Sequence, residues 1–275
     1  MTPLYAAARR GYLDISTLLV DHGADINILS KSGQSPLTIA AHYRHYEVCK
    51  YLMLQAPNVD YSKVGKFYGD LLCLLSHHGD MVLIQKLVQN LPQADINMKN
   101  HDGKTAINEA AEQEQYGVWN YLLQQGANIN APNGDGLTSL YFVSKNGRFN
   151  LIKKLVEEYG ADVQAKGCLS VAAEQEQYDV LDYLLNQGAT WEDINKPTKD
   201  KLTPLYFVCR SGNIEWVEKF VKDLKADING QGCLQVSVEF YHFEIAEFLI
   251  KSGCSVDQVK LSKKFYPMFC FLKLF

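Results

Sequence analysis

No apolar run in this 275-residue chain approaches the roughly 20 residues that a membrane-spanning helix needs, so a membrane protein is not expected. The N-terminus lacks a basic-then-apolar leader, which makes secretion an unexpected fate. Charge of one sign is also scarce. A formal net charge of −4 exerts no general pull toward nucleic acid or an anionic membrane, so any charge-driven partner must be read from local patches. The seven cysteines show no paired spacing and are odd in number, which argues against a disulfide framework and for a reducing, cytoplasmic setting that could extend to the nucleus. Neither a Cys-x-x-Cys pair nor a His-Glu-x-x-His helix is present, and no glycine-rich loop could cradle phosphate. Nor does a nucleophile stand beside a base and an oxyanion donor. These absences leave a chain without visible catalytic or cofactor machinery.

What is present is repetition. The stretch Leu202-Thr203-Pro204-Leu205-Tyr206 turns at Arg210-Ser211-Gly212-Asn213, continues through Ile214, Val217, Phe220 and Val221, and leaves on Ala226-Asp227-Ile228-Asn229. Thr203 suits an N-cap because its hydroxyl can accept an orphan amide of the first turn, and Pro204 suits the first helical position, where no N–H is needed. Gly212 falls where the chain must reverse between helices. The stretch therefore predicts two short amphipathic helices and an exit turn.

With the leucine of Thr-Pro-Leu as marker, equivalents stand at Leu4, Leu37, Leu72, Ile107, Leu140, Leu169, Leu205 and Leu234, spaced 33, 35, 35, 33, 29, 36 and 29 residues. The exits rhyme as Ala24-Asp25-Ile26-Asn27, Ala94-Asp95-Ile96-Asn97, Ala127-Asn128-Ile129-Asn130 and Ala161-Asp162-Val163. In the second half the repeats echo in pairs. Leu137 to Val143 matches Leu202 to Val208, and Gly167-Cys168-Leu169 matches Gly232-Cys233-Leu234, a super-period of 65 residues.

This motif set resembles the ankyrin-repeat family over nearly the whole chain. The resemblance implies an all-α solenoid of about eight stacked helix-turn-helix units with short β-turn fingers, forming one elongated domain over 1–257. A basic-then-apolar tail, 258–275, would fold onto the last repeat as a capping helix. Short connectors at Gln164-Ala165-Lys166 and Gly230-Gln231 predict shortened fingers. Lys63 to Asp70 reads as a loose connector, and Thr190 to Lys201 as a long loop.

The function implied by the resemblance is non-catalytic: a scaffold binding a protein partner on its concave face, with no cofactor, no nucleic acid and no membrane, as a monomer. The alternative is the recognition arm of a larger enzyme, signalling protein or secreted effector of which this chain is a fragment. The absence of a polar cap in the first repeat fits that alternative. Family members use the exposed ends of the first helices, here Arg9-Arg10, His42-Tyr43, His77-His78, Glu112, Lys145, Glu174, Arg210 and Glu239-Phe240. The alternation of Glu112, Lys145, Glu174, Arg210 and Glu239 predicts ion pairs between neighbouring repeats. Arg9, Arg10, Tyr43, His77 and His78 have no visible countercharge and are the better contact candidates.

Cys73, His77 and His78 could face a metal from one helix, but the set lacks further ligands, so no metal is expected there and Cys73 reads as a buried side chain. His42 and His45 read as surface or interface residues. Tyr5, Tyr141 and Tyr206, where the family often has histidine, are expected to pack between repeats with hydroxyls bonded locally. Asn27, Asn97, Asn130 and Asn229 are expected to hold their own exit turns.

Overall fold

The computed structural model describes residues 2–54, 56, 58–198, 200–229 and 232–256. The proposed capping tail therefore lies outside the described residues. The chain divides into two compact units, 1–142 and 143–275. Among the described residues all regular structure is helical, and the fold is an all-α repeat solenoid.

The first compact unit carries the helix pairs α1 (Pro3–Arg10) with α2 (Leu13–Asp21), α3 (Pro36–His42) with α4 (Tyr46–Leu54), α5 (Tyr68–His78) with α6 (Met81–Asn90), and α7 (Ala106–Glu112) with α8 (Tyr116–Gln124). Thr2 caps α1 by accepting the Tyr5 N–H, and Ser35 caps α3 through a capping box with Thr38. Each first helix then packs on the next, α1 on α3, α3 on α5 and α5 on α7. The stretch expected as a loose connector is ordered instead. Two short 3₁₀ turns, Tyr61–Lys63 and Gly65–Phe67, run into α5, and Asp60 caps the first through the Ser62 N–H. Helix α9 (Ser139–Lys145) spans the division.

The second compact unit contains α10 (Phe149–Glu157), α11 (Cys168–Glu174) with α12 (Tyr178–Asn186), α14 (Pro204–Ser211) with α15 (Ile214–Glu218), and α16 (Cys233–Glu239) with α17 (Phe243–Lys251). Between α12 and α14 the expected long loop holds a short helix, α13 (Trp191–Asn195). Asp193 closes a capping box there by accepting the Thr190 N–H and hydroxyl. The shortened connectors put Gly167 and Gly232 at the N-caps of α11 and α16 with φ of 82° and 79°, the place held by Thr2, Ser35 and Thr203 in α1, α3 and α14. Full fingers close on a single backbone rung, as in Asn100 N–H to the Lys104 carbonyl and Thr198 N–H to that of Leu202.

All eight marker residues are buried, none more than 4% exposed. They are the central contacts of each layer, and burying one such side chain contributes about 1.5–3 kcal/mol. At the first helix pair the layer is open, with Tyr12, Ile15 and Leu18 between 47% and 58% exposed.

The turn between the two helices of a pair alternates along the chain. Gly11, Gly79, Gly147 and Gly212 occupy it with positive φ in odd repeats, whereas Arg44, Glu114, Glu176 and Tyr241 take the left-handed conformation in even ones. The alternation has a packing cause. A Cβ on Gly11 would fall 2.4 Å from the His45 ring, and one on Gly212 2.5 Å from the His242 ring. Those rings bond back across the gap, His45 Nε2 to the Arg9 carbonyl and His242 Nε2 to the Arg210 carbonyl, both at 3.0 Å. Gln115 and Gln177 fill the same space against Gly79 and Gly147. The pairing read in the second half of the sequence thus governs the first half too.

The exit turns work differently from the expectation. The turn is held by the acidic or amide residue two positions earlier, as when Asp25 accepts the Asn27 N–H and Asp95 accepts that of Asn97. The asparagines reach forward to the next repeat: Asn27 accepts the Asp60 N–H, Asn97 that of Asn128, and Asn229 that of Ser255. They latch layers rather than close turns. Tyr5 likewise sends its hydroxyl to Gln34 in the next finger, so its bond is not local.

Candidate functional site

Two carboxylates are buried where polar groups are least expected, Asp70 in the first turn of α5 and Glu109 inside α7. Burying a carboxylate costs several kcal/mol unless donors replace its water. Both are well supplied, from three successive repeats of the first compact unit.

Glu109 has a fully buried side chain. Its Oε1 accepts from the Arg44 guanidinium at 3.1 Å with Lys104 Nζ at 3.6 Å, and its Oε2 accepts from His77 Nδ1 at 3.0 Å. Burial works to raise the Glu109 carboxyl, but hydrogen bonds from Arg44 and His77 and the charges of Arg44 and Lys104 outweigh it and hold it below its ordinary value. Arg44 itself sits in the left-handed turn after α3, with φ of 60°. Lys104 also binds Glu112 at 2.7 Å.

Asp70 accepts from the His101 backbone N–H at 2.9 Å and from His101 Nδ1 at 2.8 Å on one oxygen, and from His42 Nδ1 at 3.0 Å on the other. Burial again works upward, and the bonds from His101 and His42 prevail, so its carboxyl also lies below the ordinary value. The two imidazole rings stand 4.2 Å apart, and His101 Nε2 is 3.4 Å from Asp102.

His77, expected to lack a partner of opposite sign, therefore has one in Glu109, and His42 is held by Asp70. Around them, Arg9 lies over the Tyr43 ring at 5.3 Å and bonds its hydroxyl at 3.2 Å, and Tyr43 and Arg10 are exposed. His78 stacks on Tyr46 at 4.0 Å, and partial burial, with the charges of His77 and Arg44, pushes its imidazole below its ordinary value. Cys73 does not join its histidine neighbours. Its thiol donates to the Lys104 carbonyl at 3.3 Å and is pushed up by burial and by Glu109, so it is no nucleophile.

Among its described residues the second compact unit gathers no comparable network at its first-helix ends. Among the described residues Lys145, Glu174, Arg210 and Glu239 form no ion pair with one another, contrary to the expected self-pairing. Arg210 lies over Phe207, Glu239 accepts from Gln235 in its own helix, and Phe240 is 52% exposed.

Sequence reasoning missed Asp70, Glu109, Arg44, His101 and Lys104 as a set, although a signal existed. The position two after the marker is Ala6, Ile39, Leu74, Phe142, Val171, Phe207 and Val236 in seven repeats and Glu109 in the fourth. Two residues before the marker, Asp70 replaces a hydroxyl cap of the kind seen at Thr2, Ser35, Thr105, Thr138 and Thr203.

Comparison with known proteins bears on the whole chain. Residues 1–63, 72–167 and 169–260 match the family model described as ankyrin repeats (3 copies). The chain is 29% identical over 171 residues to a probable E3 ubiquitin-protein ligase, XBOS33, of Oryza sativa subsp. japonica, covering 60% of this chain and 32% of that protein. It is 31% identical over 128 residues to the potassium channel AKT2/3 of Arabidopsis thaliana, covering 46% and 15%. It is 23% identical over 246 residues to the ankyrin repeat domain-containing protein SAT10 of Stachybotrys chartarum, covering 81% and 13%. In each case the chain spans a third or less of the relative's length.

Proposed function

Because the chain belongs to the ankyrin-repeat family, whose repeats serve protein interaction, we propose that it is a non-catalytic scaffold that holds a protein partner against the face made by its first-helix ends and fingers. The observation that supports this reading is the pair of buried carboxylates. Asp70 and Glu109 tie down His42, His77 and Arg44 from beneath, so these groups stand on that face with their rotamers already restricted. A surface ordered before contact loses less side-chain entropy on binding. Arg9, Arg10 and Tyr43 flank it exposed and form the contact edge.

Burial of the six described cysteines as free thiols suits a reducing, cytoplasmic location, and no helix among the described residues is long and apolar enough to cross a membrane. The small share of each relative that is matched favours a second reading, in which this chain is the recognition arm of a longer protein. An immunoblot of native cells that detects a product larger than 275 residues supports that reading, and a product of this size rejects it.

The binding reading is tested by cross-linking the chain to its partner in native extract and comparing Arg9→Glu/Arg10→Glu/Tyr43→Ala with Lys50→Glu, a charge reversal on α4. Loss of the cross-linked species in the first variant and its retention in the second is expected. Equal retention in both rejects the proposed face.

A further inference from the structure

Around Asp70 the donors are of a kind that a metal ion also selects. We propose that His42, Asp70 and His101 bind a divalent transition-metal cation of the zinc class, one per chain, leaving a fourth position for water. Two imidazoles and a carboxylate form a borderline set that suits zinc, copper or nickel, and not calcium or magnesium, which require more oxygens.

The spacing supports it. One ligand atom from each residue can be chosen so that all three lie within 4.8 Å of one another. Tetrahedral zinc with nitrogen and oxygen ligands at roughly 2.0–2.2 Å sets donor atoms about 3.4 Å apart. His101 Nδ1 lies 2.8 Å from one Asp70 oxygen and His42 Nδ1 3.0 Å from the other, so an ion admitted between the rings and the carboxylate replaces both hydrogen bonds and moves the rings outward. The movement falls on the outer rim of this network. The His42 and His101 side chains are 31% and 36% exposed, whereas Asp70 is 7% exposed and oriented by the His101 backbone N–H. The exposed rings also leave the ion a path in from solvent.

The ring protons have somewhere to go. In the metal-free chain Nδ1 of each imidazole donates to Asp70. When the ion takes Nδ1, the proton moves to Nε2 of the same ring. For His101 that nitrogen faces Asp102 at 3.4 Å, a carboxylate placed as metal-ligating histidines usually have one, fixing the tautomer from behind. The Arg44 guanidinium, 3.9 Å from Asp102, is engaged by Glu109 at 3.1 Å, so its charge is already compensated. The ligands stand 28 and 31 residues apart, so no local motif reveals them. An ion there joins the end of α3, the start of α5 and the finger before α7, clamping repeats two to four.

The test uses the full chain without an affinity tag, stripped by chelator and titrated with zinc by calorimetry and with cobalt by absorption. Expected are saturation at one equivalent, a raised melting midpoint, and cobalt d–d bands without a thiolate charge-transfer band, which separates this site from the cysteines. His42→Ala and His101→Ala should each weaken binding at least tenfold, and the double variant should abolish it. His22→Ala, on α2's exposed C-terminal turn, should bind as the parent does. Because Asp70→Asn could fail to fold, the two rim histidines carry the test, each melt without metal first establishing a folded chain. No saturable binding, binding that survives the double variant, or a thiolate band at saturation would overturn the proposal.

Discussion

Glu109 carries the clearest consequence at the scale of a single residue. Truncation to alanine removes the acceptor of Arg44 and His77 and opens a void, and we expect a loss of about 3 kcal/mol by chemical denaturation, in the range for breaking a buried pair. Glu109→Leu should cost less, because it restores the residue type of the other repeats and both partners reach solvent. A difference below about 0.5 kcal/mol between the two variants would contradict this account. The pH dependence follows from the direction of the shifts. Asp70 and Glu109 have carboxyls lowered on folding, so their contribution is whole at neutral pH and is lost as pH falls below about 4, through the lowered folded values. Stability should therefore drop more steeply below that pH in the parent than in Glu109→Gln. The cysteines supply a second expectation. Burial raises the thiols of Cys49 and Cys168, and pushes Cys254 up to about 11, so alkylation followed by mass spectrometry should label these three at the rate of unfolding and not at the rate of free thiols.

At the scale of the element, the interhelix turn decides how repeats pair. Gly212→Ala meets two costs, a left-handed alanine worth about 1–2 kcal/mol and displacement of the His242 ring from the Arg210 carbonyl. In the His242→Ala background only the first remains, so a double-mutant cycle should show coupling of about 1 kcal/mol. Additive losses would mean that the ring and the glycine do not share this space. Even repeats offer the converse. Glu176 holds φ at 55° with an exposed side chain, and Glu176→Gly should stabilise by up to about 1 kcal/mol in the same denaturation assay, relief of the backbone exceeding the entropy added to the unfolded chain.

For the molecule as a whole, repeat architecture makes stability a sum of layers and interfaces. The Asn27, Asn97 and Asn229 latches, and the paired His45 and His242, each join only adjacent repeats. Arg44 is the exception in the site described, since its partner Glu109 is 65 residues away and two repeats on. Repeats two to four should accordingly open together in native-state hydrogen exchange, with amides of α3, α5 and α7 sharing one opening free energy. Arg44→Ala should split that block, freeing α3 at lower free energy than α7. Uniform exchange in both proteins would show that the long ion pair does not couple the layers. The proposed contact face draws on this block through His42, Tyr43, Arg44 and His77, and on repeat one through Arg9 and Arg10.

Read alone, the chain determines its layer markers and many of its helix caps, because these are short-range: an apolar marker every 29 to 36 residues, a hydroxyl two before it in five repeats, a glycine at the interhelix turn in four. Even the oddity of Glu109 among apolar equivalents is written there. What only the tertiary structure decided is which polar groups answer which. Arg44 and Glu109, or His42, Asp70 and His101, are brought together by stacking of layers and not by nearness in sequence, so their distances carry no local signature. The same applies to the asparagines, whose reach into the next exit turn depends on layer spacing that no single repeat encodes.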